Sequence, residues 1–404
     1  MTRHVIIGAG QAGLQIAESL RKEGFTGEIV LFGDEASAPY QRPPLSKKYL
    51  LGEVTADRLL FRASDHYTRL AVDLRLSTHV KAIDPAARTL ALSDGTRLGW
   101  DRLALATGAR VRRLEVPGAE DSRVHVLRGL EDAESLRLGL EQAARVVVIG
   151  GGFIGLEVAA IARKLGREVT VIEAQSRVLP RVVAPLVSAF FHELHSNHGV
   201  RILLDQQVAT LTPSAEALTV ETVDGIRVPA DLVVVGIGVL PNTELAEAAG
   251  LACEAGILVD EFARTSHPAI VAAGDCTRHC NLLFTAPHRL ESVQNAVDQA
   301  KVAAATMLDA PVPYAQVPWF WSDQYDVKLQ MVGISTGHDS LVVRGVPGPD
   351  GFSVFYWSGD RIIAVDSINK PAEHMAARKL IAAGGKCVRE QLADPSIDLK
   401  TFIQ

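Results

Sequence analysis

The sequence predicts an α/β protein: two doubly wound, parallel-sheet units followed by a small α+β domain. Three observations predict it. Strand-like apolar runs alternate with helix-period segments through residues 1–240, the pattern of parallel strands joined by crossover helices. One pattern occurs twice: residues 4–13 (HVIIGAGQAG) and residues 146–155 (VVVIGGGFIG) are each an apolar strand, a G-x-G-x-x-G turn and the start of an amphipathic helix. Beyond residue 313 the character changes to strand candidates at 329–332, 341–344, 352–357 and 361–369, then one helix from Ala372.

Each glycine-rich turn makes a Rossmann-like dinucleotide cradle. The first glycine allows the tight turn, the second lets a pyrophosphate approach the backbone, and the third lets helix and strand pack closely. Gly8, Gly10 and Gly13 fill these places in the first unit, and Gly150, Gly152 and Gly155 in the second. The helix N-terminus then holds the anion. A second strand follows each helix and ends in acid: residues 28–32 lead to Asp34 and Glu35, and residues 168–172 lead to Glu173. Such an acid, about 20 residues on, hydrogen-bonds ribose hydroxyls. A carboxylate at Glu173 repels the 2'-phosphate of NADPH and favours NADH, with Arg177 acting the other way. One such turn is weak evidence; two, each with strand, helix and acid, are strong.

Size and charge agree with a multi-domain enzyme. A chain of 404 residues, 48% hydrophobic and 22% charged, holds two or three ordinary domains. A formal net charge of -6 gives no broad basic surface for nucleic acid or anionic lipid. No apolar stretch reaches the roughly 18 residues of a membrane helix. The best candidate, residues 232–240, is interrupted by Gly236 and Gly238 and reads as a buried strand. The first strand begins beside Met1 and leaves no room for a signal core, so a cytoplasmic location is expected. Cys253, Cys276, Cys280 and Cys387 form no C-x-x-C, and disulfides are not expected. Cys276, His279 and Cys280 lack a fourth metal ligand, and His192, His195 and His198 read as surface residues.

Further motifs make the reading specific. They are residues 39–47 (PYQRPPLSK), 104–109 (ALATGA), the second glycine turn with Glu157, 235–242 (VGIGVLPN), 272–276 (AAGDC), 289–295 (RLESVQN) and 318–324 (PWFWSDQ). With the two glycine turns, they make the chain resemble, along essentially its whole length, the flavoproteins with two dinucleotide-binding domains. Within that superfamily it is similar to the ferredoxin reductases of bacterial oxygenase systems.

The resemblance implies a glutathione-reductase-like arrangement, with the FAD domain split around an inserted NAD domain. Residues 1–110 and 239–315 would make the FAD domain, 111–238 the NAD domain and 316–404 the C-terminal domain. FAD contacts are implied at Gly8, Gly10, Gly13, Asp34, Glu35, Arg42, Lys47, Val80, Ala106, Thr107, Gly108, Arg128, Gly274, Asp275, Ser292, Val293 and Trp321. NADH contacts are implied at Gly150, Gly152, Ile154, Gly155, Glu157, Glu173, Gly236, Ile237 and Gly238. Lys47, Glu157 and Trp321 are the implied catalytic residues. Lys47 would pair with Glu157 at the hydride-transfer position, and Trp321 would line the exit for electrons. Read without the family, Lys47 and Glu157 are an exposed lysine and a helix-surface glutamate, and Ser46 caps a helix. The helix over residues 292–308 would stabilise negative charge on reduced FAD through its N-terminus. Trp319 and Trp357 are expected to pack in a core or interface.

Relatives that reduce disulfides carry a thiol pair in the segment after the first ribose acid; here that segment has no cysteine. Electrons are therefore expected to leave directly, one at a time, to an acidic [2Fe-2S] ferredoxin supplying a cytochrome P450 or a ring-hydroxylating dioxygenase. Transient electrostatic docking would use Arg289, Lys328, Lys370, Arg378 and Lys379. No metal, nucleic acid or membrane partner is expected, and the chain is expected to be a monomer or weak homodimer. The rival readings are a rubredoxin reductase or NADH oxidase on the same scaffold, and a non-catalytic NADH-sensing protein.

Overall fold

The computed structural model describes residues 2–281 and 287–402. The chain divides into two compact units, Met1–Gln41 with Leu59–Arg110 and Leu240–Pro318, and Arg42–Arg58 with Val111–Val239 and Trp319–Gln404. The proline-stiffened segment from Arg42, counted by sequence within the first part of the FAD domain, packs in the second unit. The NAD-domain and C-terminal segments share that unit as well.

The first unit is built on a parallel sheet whose strands run in the order Ile270–Ala272, Arg102–Leu105, Arg3–Ile7, Glu28–Phe32, Val72–Arg75. Apolar side chains line both faces, as a sheet covered on both sides requires. On one face, helices Gln11–Lys22 and Val293–Met307 pack through Ala12, Ala17, Ala296, Ala300 and Ala303, whose small side chains permit close approach. Ser292 caps the second of these, its hydroxyl accepting from the Asn295 amide at 3.0 Å. An antiparallel sheet of Val80–Asp84, Thr89–Leu92 and Arg97–Gly99 covers part of the other face.

The second unit repeats the scheme. Its parallel sheet runs Val200–Leu203, Glu168–Ile172, Arg145–Ile149, Leu232–Val235, Val124–His125, again with the strand before the glycine turn at the centre. Residues 232–240 are not one strand: the first strand stops at Val235, Gly238 turns the backbone at φ +101°, and Val239–Pro241 is a separate strand that pairs with Ala109–Val111. The same unit holds a five-stranded antiparallel sheet ordered Trp319–Gln324, Val327–Gly333, Arg361–Ile368, Phe352–Ser358, Ser340–Arg344, with helix Pro371–Ala382. Four of these strands match the sequence reading; Trp319–Gln324 was not foreseen as a strand. Trp357 is a core residue at 1% exposure, as expected.

Candidate active site

The two glycine turns can be tested for the ligands they are meant to hold. At Gly8, φ is +113° and a Cβ would stand 2.0 Å from the Ala106 carbonyl oxygen; at Gly13 it would stand 1.8 Å from that of Gly8. These two glycines are pinned by the protein itself. At Gly10 nothing lies within 4 Å of the Cβ position, and this residue is the N-cap of helix Gln11–Lys22 with no side-chain cap. The space the protein leaves unfilled is therefore where a pyrophosphate would reach the helix N-terminus, so the residues present fit FAD. The second turn has the same anatomy. Gly150 and Gly155 are crowded by the Gly236 and Gly150 carbonyls, while Gly152 has only the Gly236 oxygen, at 4.0 Å. Ala106, Thr107 and Gly108 thus correspond in place to Gly236, Ile237 and Gly238, each trio following the strand beside a glycine-turn strand.

In the first unit, the Gly274 amide donates to the Gln299 carboxamide at 2.8 Å, which holds the turn carrying Asp275. Gln299 lies 1% exposed on helix Val293–Met307, the helix that Ser292 caps and Val293 opens, and sequence reasoning did not single it out. Thr107 and Asn242 exchange two hydrogen bonds, of 2.7 and 2.8 Å, that hold the ATG turn. Glu35 accepts from the Tyr40 hydroxyl at 2.5 Å, and exposed Asp34 lies 3.3 Å from His79. Val80 is buried in the core at 2% exposure, so only its main chain is left to face a ligand.

In the second unit, Glu173 is 8% exposed, and its carboxylate accepts from the amides of Gly151 at 2.6 Å and Gln175 at 2.9 Å. The acid is thereby locked onto the turn. Arg177 turns to the carbonyls of Val183 and Pro180, at 2.8 and 2.6 Å. Ile154, in the first turn of helix Phe153–Lys164, is 43% exposed. The Arg42 guanidinium donates to the Arg128 carbonyl at 2.8 Å, bringing two of the expected residues together.

Glu157 is not a helix-surface residue. It is 3% exposed, and its Oε2 receives the Lys47 ammonium at 2.8 Å and the Ser46 hydroxyl at 2.5 Å. Its Oε1 receives the Ser322 hydroxyl at 2.6 Å. Ser46 therefore does not cap a helix; it lies inside the π-turn Leu45–Tyr49 and donates to the carboxylate. Ser322 lies within the 318–324 motif but was not singled out, because nothing local links it to Glu157, 165 residues away. The fit of strand to helix is periodic: four helical residues rise about 6 Å and two strand residues about 6.6 Å. Phe320 meets Phe153 with ring centroids 4.8 Å apart, and two strand residues later Ser322 meets Glu157, four helix residues later.

Trp321, on the opposite face of that strand, is half-buried and packs against Trp319 at 5.6 Å, with the Arg378 guanidinium 5.0 Å over the Trp319 ring. Of the expected docking residues, Lys328, Lys370, Arg378 and Lys379 share the second unit, and Arg289 lies in the first, paired with Glu291. His195 corrects the surface reading of the three histidines: it is fully buried and bonded to Gln324 at 2.8 Å. All four cysteines are free. Burial pushes the Cys253 and Cys387 thiols up to about 11 and raises Cys276 as well, so none of these three is a ready thiolate. Among the described residues there is no group of three or more potential metal ligands, and no helix is long and apolar enough to cross a membrane.

Two dinucleotide cradles and a lysine–glutamate pair whose carboxylate is buried, with no cysteine in the segment that presents the lysine, define a flavin- and pyridine-nucleotide-dependent oxidoreductase. The sequence matches the pyridine nucleotide-disulphide oxidoreductase family over residues 2–300 and the reductase C-terminal domain over residues 319–403. Rhodocoxin reductase of Rhodococcus erythropolis is 47% identical, covering 99% of this chain and 94% of its own. Putidaredoxin reductase of Pseudomonas putida is 45% identical, covering 99% and 96%. The crystal structure of the covalent putidaredoxin reductase–putidaredoxin complex superposes with a TM-score of 0.96 at 45% identity, covering 100% of this chain and 98% of that one. The chain belongs to the pyridine nucleotide-disulphide oxidoreductase family. It is an enzyme that uses FAD and NAD(H).

Proposed function

We propose that this chain is an NADH-dependent ferredoxin reductase, taking a hydride from NADH and delivering electrons singly to a [2Fe-2S] ferredoxin of a cytochrome P450 or ring-hydroxylating dioxygenase system in the cytoplasm. The observation that carries this reading is the Lys47–Glu157 pair, its carboxylate buried and held by two serine hydroxyls, without a cysteine in the segment that presents Lys47. FAD, when bound, supplies the capacity to accept two electrons as hydride and release them one by one. The protein does the rest. Gly10 and Gly152 leave room for the two pyrophosphates, Asp275 would bond the ribityl chain or pyrophosphate region of FAD and Glu35 its ribose, and Glu173 would bond the nicotinamide cofactor's ribose. The carboxylate of Glu173, with Arg177 turned to its own loop, disfavours a 2'-phosphate and selects NADH. Lys47 and Glu157 orient the nicotinamide for the hydride step, and Trp321 lines the electron exit. Lys328, Lys370, Arg378 and Lys379 attract an acidic ferredoxin.

The test is a purified holoenzyme assayed for cytochrome c reduction with and without added ferredoxin. Yellow protein that NADH bleaches, with cytochrome c reduction that needs the ferredoxin, is the expected result. Bleaching without transfer to any [2Fe-2S] ferredoxin would overturn it.

A further inference from the structure

The Lys47–Glu157 pair is one end of a longer buried chain, all within the second unit. Ser322 Oγ, 2.6 Å from Glu157 Oε1, lies 3.2 Å from Gln324 Nε2; Gln324 Oε1 lies 2.8 Å from His195 Nε2; and His195 Nδ1 lies 3.4 Å from the Tyr325 hydroxyl. Ser322, Gln324 and His195 are each 0% exposed. Period 2 on the strand Trp319–Gln324 aims Ser322 and Gln324 the same way, and His195 comes from helix Pro185–Asn197.

The carboxylate fixes the direction of every link. A carboxylate only accepts, so the single Ser322 hydroxyl proton goes to Glu157. The Ser322 oxygen must then accept from Gln324, which puts the Gln324 NH2 toward Ser322 and its carbonyl toward His195. That carbonyl needs a donor, so His195 carries its proton on Nε2 and offers Nδ1 to the Tyr325 hydroxyl. Burial, helped by the nearby His198 and His192, holds the His195 pKa down at about 4, so the ring is neutral and this single tautomer persists at physiological pH. Every donor in the chain points toward Glu157. Such aligned bonds polarise one another in a low-dielectric interior.

We propose that Gln324 and His195 are positioning residues for the hydride step, a one-directional donor chain that fixes the Glu157 carboxylate in the orientation that grips Lys47. The proposal rests on the reading of the Lys47–Glu157 pair given above. Neither residue touches a cofactor cradle; both act through Ser322.

The experiment pairs flavin bleaching by NADH in the holoenzyme with nitrogen-15 histidine NMR. His195→Leu is expected to slow bleaching roughly tenfold with the NADH KM unchanged, since a small misplacement of a catalytic group has effects of this order. His195→Gln places an amide N–H where Nε2 stood and is expected to recover most of that rate. Should His195→Leu give no folded holoenzyme, Gln324→Met cuts the same link and is expected to show the same loss. In the spectrum at pH 7, one ring should show the Nε2–H tautomer, vanish in His195→Leu, and shift in Ser322→Ala, which leaves the histidine intact. An Nδ1–H tautomer at His195, or a His195→Gln enzyme as slow as His195→Leu, would overturn the proposal. Glu157→Gln separates the two failures. If it bleaches at the wild-type rate, the hydride-site reading and the proposal fall together. If it is slow while His195→Leu is not, the site stands and the positioning chain falls.

Discussion

Asp366 shows what one buried carboxyl does to a domain. It is 1% exposed on strand Arg361–Ile368, accepts from the Tyr356 hydroxyl, and that hydroxyl's oxygen accepts from the Ala184 amide at 2.8 Å. Burial pushes the Asp366 pKa up to about 7, against a partial lowering by the Tyr356 bond. Between the ordinary carboxyl pKa and about 7, the folded chain holds a proton that the unfolded chain has released. This group's stabilising contribution is therefore complete below the ordinary value and lost as pH rises through about 7. Asp366→Asn keeps an acceptor for Tyr356 and removes the dependence. Its Tm should exceed wild type at pH 8, by roughly 2–4 °C for each kcal/mol relieved, and match it near pH 4. At the hydride site the cost runs the other way. Lys47→Ala leaves Glu157 buried without its cation, a change that costs about 3–5 kcal/mol in buried pairs. The Ser46 and Ser322 donors remain, so the loss should sit at the low end while NADH-dependent bleaching slows sharply. Unchanged bleaching would remove Lys47 from the hydride step.

At the scale of an element, the three glycines of one turn are not equivalent. A methyl group at Gly13 meets the Gly8 carbonyl oxygen at 1.8 Å, whereas one at Gly10 meets nothing within 4 Å. Gly13→Ala should therefore lower the Tm of the apoprotein itself, because strand and helix must separate. Gly10→Ala should leave the apoprotein Tm unchanged and weaken FAD binding, measured by flavin fluorescence on titration. Equal behaviour of the two variants would show that the open space at Gly10 is not the pyrophosphate's. The strand Trp319–Gln324 makes a related point. Its residues alternate between two faces, with Phe320 and Ser322 meeting helix Phe153–Lys164, Gln324 meeting His195 of helix Pro185–Asn197, and Trp319 on the other face packing with Trp321 and with His374 and Arg378 of helix Pro371–Ala382.

For the whole molecule, acid is the expected weakness. Burial holds His4, His195, His279 and His374 down at about 4, while an unfolded chain protonates its histidines near the ordinary value of 6.5. Stability therefore falls as pH drops from 6.5 to about 4. Asp366 acts in the opposite sense over nearly the same range, but one group is set against four. The urea midpoint should decline across that window; a rise would mean that these histidines are solvated. Charge also governs the partner. The chain carries a net charge of -6, so under the docking proposed above an acidic ferredoxin would be repelled by the molecule as a whole and would have to be drawn locally, by Lys328, Lys370, Arg378 and Lys379. Ferredoxin reduction should slow with added salt, which screens such attraction, while bleaching by NADH should not. Arg378→Gln should weaken the salt dependence and also remove the cation from the Trp319 face.

The sequence by itself determined the two cradles, their strand–turn–helix units and the acids that follow them. Those features are local: a glycine needed within a few residues of a strand end is visible as a glycine, and the repeat doubles the signal. It also carried Lys47 and Glu157, through the resemblance rather than through their own surroundings. What only the tertiary structure decided was burial and partnership across distance. Ser322 lies 165 residues from Glu157, and His195 lies 129 from Gln324, so no window of sequence joins them. The same holds for residues Arg42–Arg58, which follow the first cradle along the chain yet pack in the unit that contains the second. Periodicity reports which residues share a face; only packing decides which face meets which, and a polar side chain acquires its chemistry from that meeting.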